Sequence, residues 1–263
     1  MVQYKMEFMW RNEAWCMNIL SIGNSFSQDA QRYLHQIAKS DGISLTAVNL
    51  YIGGCPLSRH YRNMLSEEKA YELEVNGQRT GFFVSLKETL LNRNWDVITL
   101  QQASHESIEY NNYQPYAKEL AAYVRRLCPK TKIVVHQTWA YDQNSPRLYD
   151  ELGYRHHTEM FADVKNAYEH MAEDIQAQFI IPSGELLQEL LAAGIETVHR
   201  DGYHTSYGLG RYALGLLWYA FLTGNSVADN QFSDFDEPIS PVEIACVKAC
   251  VESVAGAYQK SNQ

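Results

Sequence analysis

A short apolar run, Asn18-Ile19-Leu20-Ser21-Ile22, breaks straight into Gly23-Asn24-Ser25, and a helical pattern follows. A strand that ends in a tight turn and feeds a helix needs further strands beside it and helices to cover its faces. The rest of the chain supplies both. Strand patterns are expected at Leu45 to Ile52, Asp96 to Leu100, Lys132 to His136 and Phe179 to Ile181. Helical patterns are expected at Gln28 to Asp41, Tyr116 to Cys128, Phe161 to Gln178, Glu185 to Ala193, Tyr207 to Leu222 and Pro241 to Tyr258. Regular alternation of this kind predicts an α/β chain, a three-layer α/β/α sandwich on a mostly parallel sheet.

Two excursions interrupt it. Residues 57–83 form an insertion, with a helical pattern from Leu57 to Ala70 and then a hairpin signal around Asn76-Gly77. The stretch Tyr141 to Thr158 is rich in Tyr, His, Asn and Pro without a clear period, and reads as a loop over the site. The absence of repeats or linkers makes 17–263 one domain, preceded by an extension at 1–16.

Charge and composition remove several functions. A net charge of −9 argues against nucleic acid or an anionic membrane as partner, since both need a basic surface. No apolar run is long enough to span a bilayer. The first residues carry Lys5, Glu7, Arg11 and Glu13, so they lack the apolar centre of a signal peptide. Five cysteines, scattered and odd in number, do not form a disulfide framework, and a reduced cytoplasmic setting is the expectation. Cys246 and Cys250 have no matching His or Cys pair for zinc. No metal or other cofactor is expected.

Ligands of open parallel sheets sit beyond the carboxyl ends of the strands. The residues at those ends are Ser25, Gly53-Gly54, Gln101-Gln102, and His136 to Trp139, with Asp201-Gly-Tyr-His204 before a late helix. Ser25 suits a nucleophile, provided a base lies nearby. The same position also suits a helix N-cap, at Ser25 or Ser27. A carboxylate three residues before a histidine can reach its Nδ1–H and leave Nε2 free for the serine proton. Asp201 could equally be a turn former.

In this order, Gly23-Asn24-Ser25, a glycine after strand two, an amide after strand three and Asp201-x-x-His204 resemble the SGNH/GDSL hydrolase superfamily, in a bacterial branch of largely unknown function. The resemblance covers nearly the whole chain from Met17 and implies a flavodoxin-like sheet. It implies Ser25 as nucleophile, His204 as general base and Asp201 as orienting acid. It further implies an oxyanion hole from the N–H groups of Ser25 and Gly54 and the side-chain amide of Gln101 or Gln102. Where the superfamily has Gly-Asp-Ser and Gly-x-Asn-Asp, this chain has Gly23-Asn24-Ser25 and Leu100-Gln101-Gln102. Asn24, His105, His136, Trp139 and Tyr203 are candidate substrate contacts, with His60 a further site-lining candidate. The expected activity is release of acetyl or short acyl groups from a carbohydrate. Alternatives are a lipase or thioesterase, or a non-catalytic binding module on the same fold. A nucleotide binder would need a phosphate loop richer in glycine or hydroxyls than Gly23-Asn-Ser-Phe-Ser27.

Overall fold

The computed structural model describes residues 16–196 and 198–260; the expected extension lies almost wholly outside them. Five strands are parallel: β1 (Met17–Gly23), β2 (Leu45–Tyr51), β5 (Val97–Leu100), β6 (Lys132–Gln137) and β7 (Ile180–Pro182). The intervening β3 (Tyr71–Val75) and β4 (Gln78–Val84) make a hairpin that pairs antiparallel onto β2. The resulting sheet has the order β4-β3-β2-β1-β5-β6-β7. The expected hairpin is thus an extension of the main sheet. Its turn residues Asn76 and Gly77 both adopt positive φ, 53° and 76°, as a two-residue hairpin turn requires.

Nine α-helices are present among the described residues. On one face of the sheet lie α1 (Ser25–Gln31), α2 (Leu34–Ser40), α7 (Ser183–Ala192), α8 (Leu209–Thr223) and α9 (Pro241–Lys260). On the other lie α3 (Leu57–Ser66), α4 (Leu86–Asn92), α5 (Tyr116–Leu127) and α6 (His157–Asp174). The pleat divides the strand residues accordingly. Ile19 packs into the first core, while Leu20 and Ile22 pack into the second. The three-layer expectation holds. α8 is buried from Leu209 to Leu222, which explains its nearly unbroken apolar sequence.

The helix expected at Gln28 to Asp41 is instead two, and the first begins at Ser25. Asn24 is its N-cap: its side chain accepts from Phe26 N–H, and Ser27 completes a capping box. Neither serine is therefore the N-cap itself. α6 begins four residues earlier than expected, at the end of the stretch read as irregular. α4 was not anticipated, although Ser85 and Glu88 form a capping box that is visible as Ser-x-x-Glu in the sequence.

The parallel strands run 2-1-5-6-7, so the direction of winding reverses at β1 and a crevice opens between the ends of β1 and β5. Ser25 follows β1 after one residue, Asn24, and Gln101 follows β5 directly.

Candidate active site

Ser25 is the first residue of α1, and helix geometry leaves its N–H without an intrahelical partner. The late loop 198–206 approaches it from the first-core face. His199 and Thr205 form an antiparallel bridge, Arg200 N–H donates to His204 C=O, and Gly202 adopts φ +86° at the tip. The turn is fixed from inside by Asp201, whose Oδ1 accepts from the N–H groups of Tyr203 at 3.3 Å and His204 at 2.8 Å. Its Oδ2 lies 2.7 Å from His204 Nδ1. His204 Nε2 then lies 2.8 Å from Ser25 Oγ, across 179 residues of sequence. The structure thus brings Ser25, His204 and Asp201 into one hydrogen-bonded line. Burial pushes the Asp201 carboxyl up, but hydrogen bonds from His204 and Tyr203 outweigh it and hold the group below its ordinary value. Asp201 is therefore charged at neutral pH.

Aromatic rings hold the imidazole. Phe26 meets it edge-on, with centroids 5.8 Å apart, and Phe26 stacks on Trp139 at 4.1 Å. Trp139 is fully buried and donates its indole N–H to Tyr203 C=O at 2.7 Å. On the open side, Tyr203 lies against His204 with centroids 4.2 Å apart. Beneath α1, the fully buried Asp29 receives Arg200 Nη1 at 2.9 and 3.1 Å and Arg211 Nε at 2.8 Å. Arg200 also donates to Thr205 C=O. This ion cluster ties the histidine loop to the serine helix.

The pocket over these groups has a volume of about 430 Å³. Its lining includes Asn24, Ser25, Gly54, His105, Tyr203 and His204, all expected, and Gly53. Gly54 sits at φ +60° in the turn after β2, a backbone conformation that suits glycine. Phe26, Gln28, Tyr51, Ser104, Arg147 and Arg200 complete the wall; of these, Arg147 belongs to the stretch Tyr141 to Thr158 expected over the site, and the others are additions.

Several expectations are corrected. Gln101 and Gln102 do not line the pocket; both are buried and their amides are committed elsewhere. Gln101 Nε2 donates to Asn24 Oδ1 at 2.7 Å, and its Oε1 lies 2.6 Å from His136 Nδ1. Gln102 Oε1 accepts from the N–H groups of Leu57 and Ala103, and its Nε2 donates to Asn112 C=O. His136 is fully buried, bonded to Gln101 and, through Nε2, to Ser183 Oγ at 3.1 Å. Burial lowers its pKa to about 3, so it is a neutral internal strut and not a substrate contact. Trp139 likewise supports the floor from below. Asn24 touches the pocket, but Oδ1 is taken by Phe26 N–H and Gln101, and Nδ2 donates to Cys55 C=O. His60 lies under the same loop, bonded to Tyr71 and away from the pocket. Among the described residues, no group of three or more His, Cys, Asp or Glu is placed to hold a metal ion. No described helix is long and apolar enough to cross a membrane.

Comparison with known proteins bears on the family and the fold. A comparison with curated proteins finds no match. The chain is similar to a solved DUF4886 protein from Bacteroides uniformis, at 30% identity over 94% of this chain and 96% of that one, with a TM-score of 0.86. A candidate SGNH hydrolase from Slackia heliotrinireducens shares the fold at 20% identity, over 79% and 99% of the two chains, with a TM-score of 0.58. A lipase/acylhydrolase from Enterococcus faecalis shares it at 12% identity, over 79% and 96%, with a TM-score of 0.50. Residues 18–248 match DUF4886, a domain of unknown function. The chain belongs to the DUF4886 family, and its fold is that of the SGNH/GDSL hydrolases.

Proposed function

We propose that this protein is a serine ester hydrolase that removes acetyl or short acyl groups from a carbohydrate. The observation that carries the reading is the continuous line from Ser25 Oγ through His204 to Asp201, with links of 2.8 and 2.7 Å. Ser25 Oγ attacks the ester carbonyl while His204 Nε2 takes its proton. The charged Asp201 holds the imidazole in the tautomer with Nε2 free and stabilises the imidazolium that forms. The developing oxyanion is held by the N–H groups of Ser25 and Gly54, the first of which carries the favourable dipole of α1. His204 then protonates the leaving alcohol, and water, activated by the same imidazole, releases the acyl group from Ser25. The carbohydrate alcohol is favoured by the pocket wall, where the amphipathic side chains of Tyr51 and Tyr203 stand beside polar groups.

The test is hydrolysis of p-nitrophenyl acetate together with labelling by a fluorophosphonate. The wild-type chain turns over the ester and is labelled at Ser25. Ser25→Ala loses the label, and its kcat falls at least about a thousandfold. Labelling and turnover that persist in Ser25→Ala exclude this mechanism. An unlabelled, inactive wild-type chain favours the binding-module reading.

A further inference from the structure

The pocket lining contains two arginines and no Asp or Glu, in a chain whose formal net charge is −9. The two arginines differ in how far they are neutralised. Arg200 is spent on the fully buried Asp29 and on Thr205 C=O, with its guanidinium over Tyr207. Arg147 is not. Its Nε donates to Glu151 at 2.8 Å, an exposed pair one helical turn apart and worth little in water. The two terminal nitrogens of its guanidinium donate to no described residue. The group is nevertheless fixed in place, 4.6 Å from the ring centroid of Tyr203 and 5.3 Å from that of Tyr141. A π-helical turn, Arg147–Glu151, presents it to the pocket. Such turns are rare and frequent at functional sites.

Tyr203 has Arg147 over its ring and His204 against it. A single aromatic ring therefore separates an open guanidinium fork from the catalytic imidazole. The side of the pocket matters. His204 has to hand a proton to the leaving oxygen, so the alcohol part of the ester lies on the His204 side of Ser25, which is also the side of Tyr203 and Arg147. A planar fork with two free N–H-bearing nitrogens matches a carboxylate or sulfate bidentately.

From this arrangement we infer that the preferred substrate is an acyl ester of an acidic alcohol, a uronate-type sugar, whose carboxylate is held by Arg147. The inference rests on the ester-hydrolase reading above and adds the charge class of the alcohol.

The experiment compares acetate release from acetylated glucuronate and from acetylated glucose, in wild type, Arg147→Met and Arg147→Lys. The quantity read is the ratio of kcat/KM for the acidic ester to that for the neutral one. In wild type the ratio lies well above one, carried mainly by KM, and shrinks as salt is added. Arg147→Met lowers the ratio about tenfold, the loss of a charge-assisted pair. Arg147→Lys keeps part of it, since charge remains and the fork is lost. Turnover of the neutral ester in each variant reports on the integrity of the fold and of the nucleophile. A wild-type ratio near one, or a ratio unchanged in Arg147→Met, overturns the inference and leaves the hydrolase reading standing. Failure to hydrolyse either sugar or p-nitrophenyl acetate overturns both.

Discussion

Gln101 illustrates how a residue can serve a site without touching what enters it. Its amide spans Asn24 and His136, so it fixes the asparagine that in turn caps the serine helix. Gln101→Leu leaves the buried His136 Nδ1 unsatisfied and removes one of the two donors to Asn24 Oδ1, at a stability cost of about 1–3 kcal/mol. Urea denaturation of Gln101→Leu shows a lower midpoint, together with a loss of esterase activity. A direct oxyanion donor behaves differently: kcat falls by about a hundredfold or more with stability intact. Measuring both separates the two roles. At this scale the sequence was legible where partners are local. Asp201 and His204 share one turn, so their spacing already contained the contact. The glutamines were read wrongly because their partners come from neighbouring strands and loops. Strand order decides which face of the β5 end looks into the crevice, and the spacing of Gln101 and Gln102 carries no trace of it. Arg147 lies in a stretch expected over the site, but nothing in that aperiodic sequence singles it out, because its stacking on Tyr141 and Tyr203 is set by the fold.

Among the elements, the β3–β4 hairpin is the most consequential addition to the five parallel strands. It brings Glu74 under the serine helix, where the carboxylate accepts from Gln28 and from Asn49 Nδ2. Burial pushes the Glu74 carboxyl above its ordinary value, and these hydrogen bonds work against the shift. Gly77 in the hairpin turn packs against the end of α1, where a Cβ would meet Arg32 C=O at 2.2 Å. Gly77→Ala thus combines a clash with backbone and a positive φ that alanine disfavours. It destabilises by about 1–3 kcal/mol, read as a drop in thermal midpoint. Insertion and hairpin were both visible from Asn76-Gly77 and the flanking alternation. Their docking onto β2 was not, because an antiparallel edge strand carries no signal of which parallel strand it will join. α1 starts at Ser25 for a reason that was visible only in part: Asn24 is a good cap, but so are the serines on either side of Phe26.

For the whole molecule, two sealed imidazoles contribute to the response to acid. His60 and His136 are fully buried, and burial lowers each pKa from an ordinary 6.5 to about 3. The unfolded chain therefore binds protons that the folded chain refuses between roughly those two values. Their contribution to stability is fully present above pH 6.5 and declines as the pH falls toward 3, with a slope of up to about 1.4 kcal/mol per pH unit for each histidine. Chemical denaturation at a series of pH values between 7 and 4 reads this slope. His136→Gln, which keeps a hydrogen-bonding side chain without the titration, flattens it; an unchanged slope removes His136 from the account.

The ion cluster beneath the serine helix bears on how the chain matures as it leaves the ribosome. Asp29 emerges 171 residues before Arg200 and 182 before Arg211, the two arginines that neutralise it. Burying that carboxylate alone would cost about 3–5 kcal/mol. The serine helix of a nascent chain must therefore keep Asp29 hydrated and stay unseated until Arg200 and Arg211 have been made. Products that stop short of Arg200 lack the base and also lack the charge that lets the nucleophile's helix close onto the sheet, so they are inert on both counts.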